Sequence, residues 1–151
     1  MANKYSQILL HIVFSVGRTH ILIPDASRES VEKYITGTIT KLNHRPLAIY
    51  CNTDHIHILV GYNPDKSVSD LVRDVKSTST KFINKSGLTK GHFSWQSGYG
   101  AFSCGQRDLP KVVSYVLSQE EHHRSCDYKQ EFIRLLKHYQ IVYRQEYLFD
   151  F

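Results

Sequence analysis

His55 and His57 flank a single apolar residue in the run Asp54-His55-Ile56-His57-Ile58-Leu59-Val60-Gly61. Side chains alternate between the faces of a β-strand, so the two imidazoles share one face while Ile56, Ile58 and Val60 line the other. At about 3.3 Å of rise per residue the rings stand about 7 Å apart along the strand, near enough to converge on one divalent cation or one phosphate. A His-x-His taken alone is more often the polar side of an ordinary strand, so further chemistry must come from elsewhere in the chain.

A second constellation is Tyr115 and Gln119, four residues apart and hence on one face if the segment is helical, with His122 and His123 continuing the stripe. A neutral phenol with a pKa of about 10 is a poor nucleophile, but a divalent ion on the phosphoryl oxygens would stabilise the charge its attack develops. Two histidines supply two ligands. Gln119 offers an oxygen as a third, and His122 or His123 a nitrogen alternative. Such a mixed set suits Mg²⁺ or Mn²⁺, and residue type leaves zinc open. A lone tyrosine beside valines is otherwise an amphipathic packing residue.

The elements that must position these groups follow from periodicity. Tyr5 to Val16 reads as a mostly buried strand, and Ala26 to Asn43 as a helix with Val31, Tyr34, Ile35, Ile39 and Leu42 at helical spacing. Leu47 to Cys51 and His55 to Tyr62, separated by Asn52-Thr53-Asp54, predict an antiparallel hairpin. Ser67-Val68-Ser69-Asp70 is a capping box with an acid at its third position, opening a helix that runs to Gly87. Phe93 to Ser103 predicts one or two short strands with a glycine bend at Gly98 to Gly100. Asp108 and Pro110 open a third helix over about residues 108–124, and the tail over 125–151 is mixed, with a helical patch around Phe132, Leu135 and Leu136.

This order suits an α+β fold in which a ferredoxin-like antiparallel sheet carries two helices on one face and leaves the other free, with an added C-terminal helix bearing Tyr115. His55 and His57 then lie on the open face. The 151 residues read as a single domain, without repeats or linkers. Nineteen Lys and Arg against 14 Asp and Glu, a net charge of +5, suggest a polyanionic partner. The three scattered cysteines predict neither a disulfide framework nor a thiolate zinc site, and suit the cytoplasm. The apolar stretch from Ile8 to Val16 is broken by His11 and Ser15 and is too short to span a membrane.

Taken in order, D-H-I-H-I-L-V, W-Q-S-G-Y-G-A-F-S and Y-V-L-S-Q-E-E-H-H resemble the single-tyrosine insertion-sequence transposases of the HUH nuclease superfamily, including the repeat-associated tyrosine transposases. The resemblance runs from the first strand to about Arg124. It implies a homodimeric transposase that acts on single-stranded or hairpin DNA at element ends and needs no nucleotide cofactor. By the same resemblance His55, His57 and Gln119 hold Mg²⁺ or Mn²⁺, and Tyr115 attacks a DNA phosphate to leave a 5′-phosphotyrosine and a free 3′-OH. Relatives often carry Asn where this chain has Ser118, but the glutamine is retained. The expected phosphate contacts are Arg18, Arg45, Arg73, Lys76, Lys81 and the His122-His123-Arg124 cluster, with Trp95, Tyr99 and Phe102 available to stack on unpaired bases. The competing expectations are a non-catalytic DNA-binding regulator of the same fold and an RNA-binding module using sheet aromatics.

Overall fold

A computed structural model of the chain describes residues 5–122 and 126–149, the side chain of His122 apart. His123 and Arg124 lie outside the described residues. Four strands, β1 (Leu9–Ser15), β2 (Arg45–Cys51), β3 (His55–Gly61) and β4 (Gly100–Cys104), form one sheet in the order β2-β3-β1-β4 with every pairing antiparallel. The expected hairpin is present as β2 and β3, closed by Asn52 N donating to His55 O at 2.8 Å. The 93–103 segment supplies a bridge from Trp95 to Val16 and then β4.

Helices α1 (Arg28–Lys41) and α2 (Val68–Lys85) pack on one face, over Ile12 and Phe14 of β1 and Ile56, Ile58 and Val60 of β3. The predicted capping of α2 is realised, with Ser67 Oγ accepting from Asp70 N at 3.0 Å. Burial of Leu71, Val72, Val75 and Ile83 then fixes which side of the helix meets the sheet. No described helix is long and apolar enough to cross a membrane.

The second face differs from expectation, because it is covered. The helix α3 (Leu109–Leu117) lays Val116 against Ala48 and Leu59, and α5 (Tyr128–His138) lays Phe132 and Leu136 against Val13 and Phe102. The tail that reads as mixed in sequence forms α5 behind a full capping box, Gln130 N to Asp127 Oδ1 at 2.9 Å and Asp127 N to Gln130 Oε1 at 3.1 Å. Its apolar stripe needs a surface to bury against, and the histidine face of the sheet provides it. His55 and His57 are therefore 1% and 0% exposed, not open to solvent.

The predicted tyrosine helix is broken. It ends at Leu117, Ser118 departs from helical geometry (φ −104°, ψ 29°), and a short α4 (Gln119–His122) follows. Asp108 makes no side-chain cap hydrogen bond, since it closes a 3-10 turn over Gln106–Asp108 in helical backbone geometry instead of standing extended before the helix. Pro110 does occupy the first turn. A final turn, α6 (Gln145–Leu148), completes the described elements.

Candidate active site

Strand alternation carries His11, Val13 and Ser15 of β1 to the same face as His55 and His57 of β3, with Val13 opposite His57 and Ser15 opposite His55. Helices α3 and α5 then lower one side chain each onto that row, Tyr115 and Glu131. The Tyr115 ring stands 5.8 Å from that of His57, edge to face at 77°. Its hydroxyl donates to Glu131 Oε2. The other carboxylate oxygen, Oε1, lies 3.0 Å from His57 Nε2 and 3.2 Å from His55 Nε2. One buried carboxylate thus joins both imidazoles to the phenol.

The remaining ring nitrogens are also engaged. His55 Nδ1 is 2.6 Å from Asp54 Oδ1, and His57 Nδ1 is 2.8 Å from His11 Nε2. Asn52 Nδ2 stands 3.2 Å from His55 Nε2. Burial opposes charge on His55, but the hydrogen bonds to Asp54 and Glu131 outweigh it and raise its pKa above the ordinary imidazole value. His11 is pushed down to about 3 by burial and by the proximity of His57, against the pull of Glu131. The Tyr115 phenol is raised well above the usual tyrosine range by burial and then by Glu131, while a hydrogen bond from Gln119 works the other way.

The nitrogens of His55 and His57 and a Glu131 oxygen lie within 4.8 Å of one another, two neutral-capable imidazoles and a carboxylate on one point. That donor set fits a divalent cation. Gln119 is fully buried, and its Nε2 donates to Tyr115 O at 2.9 Å. The carboxylate of Glu131 is the third group found with the histidine pair, a residue that sequence reasoning missed. Its signal was present: Asp127-x-x-Gln130 opens a helix whose stripe of Tyr128, Phe132 and Leu135 also contains position 131.

Tyr115 and Glu131 border a cavity of about 420 Å³ between α3 and α5, with Lys111, Arg134 and His138 among its lining residues. None of these three residues was singled out in the sequence. Among the described residues, the cations that were lie elsewhere. Arg18 and Arg45 are exposed, Arg45 beside Gly61 and 3.4 Å from Gln7 Oε1. Arg73 pairs with Asp70 and Asp74 at 3.0 and 3.2 Å. Lys76 turns inward, donating to Gln96 O at 2.8 Å and Gly98 O at 2.7 Å, and burial lowers its pKa to about 8. Together with Lys81 and Tyr99, Arg73 and Lys76 line a separate groove between α2 and residues 94–99. Of the aromatics, Trp95 is a core residue whose Nε1 donates to Ser79 Oγ at 2.9 Å, and Phe102 is buried under α5. Tyr99 is partly exposed and bonded to Ser69 Oγ at 3.1 Å.

Among solved structures, a candidate transposase from Deinococcus radiodurans R1 is similar over 79% of this chain and 95% of its own, with a TM-score of 0.61 at 15% identity. A REP-associated tyrosine transposase bound to a REP hairpin is similar over 82% of this chain and 73% of its own, with a TM-score of 0.59 at 14% identity. These likenesses bear out the α+β antiparallel architecture. No curated protein matches the chain. The family profile described as "Transposase IS200 like" matches residues 4–119, a span that holds His55, His57, Tyr115 and Gln119 and stops short of Glu131. Over that span, most of its length, the chain belongs to the IS200-like transposase family.

Proposed function

We propose that the protein cleaves and rejoins single-stranded DNA at hairpin-bearing element ends, with Tyr115 as nucleophile. The observation that carries this reading is the meeting of the Tyr115 hydroxyl and the histidine pair on the Glu131 carboxylate. His55, His57 and Glu131 would hold Mg²⁺ or Mn²⁺, with the side-chain oxygen of Gln119, whose Nε2 donates to Tyr115 O, as a further candidate. A divalent ion bound there supplies electrophilic charge for the non-bridging oxygens of a phosphodiester.

The chain's own groups do the rest. Glu131 aims the phenol through its hydrogen bond, and the aromatic edge contact with His57 restricts the ring. The Tyr115 hydroxyl gives its proton to Glu131 Oε2 as its oxygen attacks phosphorus; the phosphotyrosine bond forms, the bond to the 3′-oxygen breaks, and that oxygen takes up a proton from water and leaves as a 3′-OH. Attack by another 3′-OH reverses the exchange, so rejoining needs no energy source. Lys111 and Arg134 bring positive charge to the cavity that borders the phenol, where a DNA phosphate would approach. DNA as partner is supported by the family and by the REP hairpin that a structural neighbour binds. Because one chain brings Tyr115 beside its own His57, we read the tyrosine as acting in cis, whether or not the expected homodimer forms.

The test is a denaturing gel after incubation of the full chain with a pool of DNA hairpins bearing randomised single-stranded flanks, in Mg²⁺ or Mn²⁺. A covalent protein–DNA band is expected from the native chain and none from Tyr115→Phe. An undiminished band in Tyr115→Phe overturns the nucleophile; hairpin binding without any adduct favours the non-catalytic regulator.

A further inference from the structure

We propose that His11 is a positioning residue for the metal site: its Nε2 accepts the Nδ1 hydrogen of His57 and thereby commits the His57 Nε2 lone pair to the site. The inference rests on the metal-site reading above and goes beyond it, since His11 is not one of the three converging groups.

The antiparallel register sets Val13 opposite His57 and His11 opposite Leu59, so His11 lies one step diagonally from His57 on the same face. The two rings stack at 5.0 Å with 25° between their planes, and His11 Nε2 is 2.8 Å from His57 Nδ1. Both residues are buried, at 2% and 0% exposure. A neutral imidazole has one N–H and one lone pair, so ligation through Nε2 places the hydrogen on Nδ1. A buried Nδ1–H left without an acceptor is destabilising. His11 supplies that acceptor.

His55 follows the same plan with a different partner. Its Nε2 lies on the Glu131 side and its Nδ1 is held by Asp54 at 2.6 Å. Each histidine of the pair is therefore gripped at Nδ1 by a second side chain, a carboxylate in one case and an imidazole in the other, which is how ligand histidines are oriented in general. His11 is not itself placed as a ligand, because its Nε2 is spent on the nitrogen of His57 that faces away from Glu131. The Tyr115 ring packs edge-on to His11 as well, at 6.0 Å and 74°, so one residue of β1 braces both the histidine and the phenol.

The experiment uses the full chain. Mn²⁺ binding is followed by electron paramagnetic resonance in the native protein, His11→Phe and His11→Gln, with circular dichroism to establish folding, and the histidine tautomers of the Mg²⁺-loaded native protein are read by long-range ¹H–¹⁵N correlation. His57 is expected as the Nδ1–H tautomer. His11→Phe should lose about 10–100-fold in Mn²⁺ affinity, and His11→Gln, whose amide oxygen can accept the same hydrogen, should recover most of it. A folded His11→Phe that binds Mn²⁺ as tightly as the native chain overturns the role of His11, as does a metal-loaded His57 protonated on Nε2. If His11→Phe does not fold, the native tautomer decides alone. Failure of the native chain to bind Mn²⁺ overturns the metal-site reading itself, an outcome distinct from indifference to His11.

Discussion

Tyr115 and Glu131 share a hydrogen bond across the gap between α3 and α5, and the same carboxylate reaches both His55 and His57 through its other oxygen. The phenol and the histidine pair are thereby linked by one side chain. Glu131→Gln keeps the shape and removes the charge. It is expected to weaken Mn²⁺ binding at least tenfold, about 1.4 kcal/mol, and to depress adduct formation in step. Calorimetric titration and the denaturing gel check both; adduct formation that rises in Glu131→Gln would mark the carboxylate as an obstruction and not a ligand.

Assembly of the site within one chain has a mixing test. Tyr115→Phe and His57→Gln are each expected to be inactive, and a mixture of the two should stay inactive. Glutamine is chosen at position 57 because an alanine there would leave His11 and Glu131 without their buried partner. Restored adduct in the mixture would place the tyrosine on a partner's histidine pair.

Gly100 of β4 keeps α5 close to the sheet. A Cβ there would come within 2.7 Å of Phe132 and 3.0 Å of Phe102, both buried. Gly100→Ala should therefore cost about 1–3 kcal/mol by overpacking and, by lifting α5, weaken Mn²⁺ binding as well. Thermal melts with and without Mn²⁺ separate the two effects, and a variant with native melting and native affinity would refute the spacing role.

Lys76 predicts a pH dependence of stability. Burial lowers its folded pKa from 10.5 to about 8, so between these values the unfolded chain holds a proton that the folded chain has lost. Unfolding then takes up a proton, and this residue's contribution to stability rises as pH increases from about 8 to 10.5. A neutral amine still has two hydrogens for the carbonyls of Gln96 and Gly98. Urea denaturation at pH 7.5 and 10 should show the native chain gaining on Lys76→Met at the higher pH; an unchanged difference would contradict the shift.

Much of this arrangement is legible in the sequence. Strict alternation in β3 separates the histidines from Ile56 and Ile58, and the Ser67 cap fixes where α2 begins. The covering of the histidine face was not legible, because it depends on a tertiary choice. The short stripe of α5 is compatible with an exposed or interface helix, and only its docking on Val13 and Phe102 brings Glu131 to the imidazoles. The break at Ser118 was hidden for a related reason: helical spacing from Val112 to His122 is continuous in sequence, and burial of Gln119 is settled by packing. Charge counting pointed to α2, whose Arg73 is neutralised by its own acidic neighbours. The cations beside the phenol sit on α3 and α5, where no run of basic residues announces them.

The carboxylate of the cluster lies 74 residues after His57, on the helix that follows the family-matched span. During synthesis the growing chain therefore possesses both histidines and then the tyrosine before it possesses Glu131. A nascent sheet with α3 already formed still lacks one of its three converging groups, and the set closes only when α5 emerges and folds back. Order of manufacture alone delays closure of the His55, His57 and Glu131 cluster until α5 has been made.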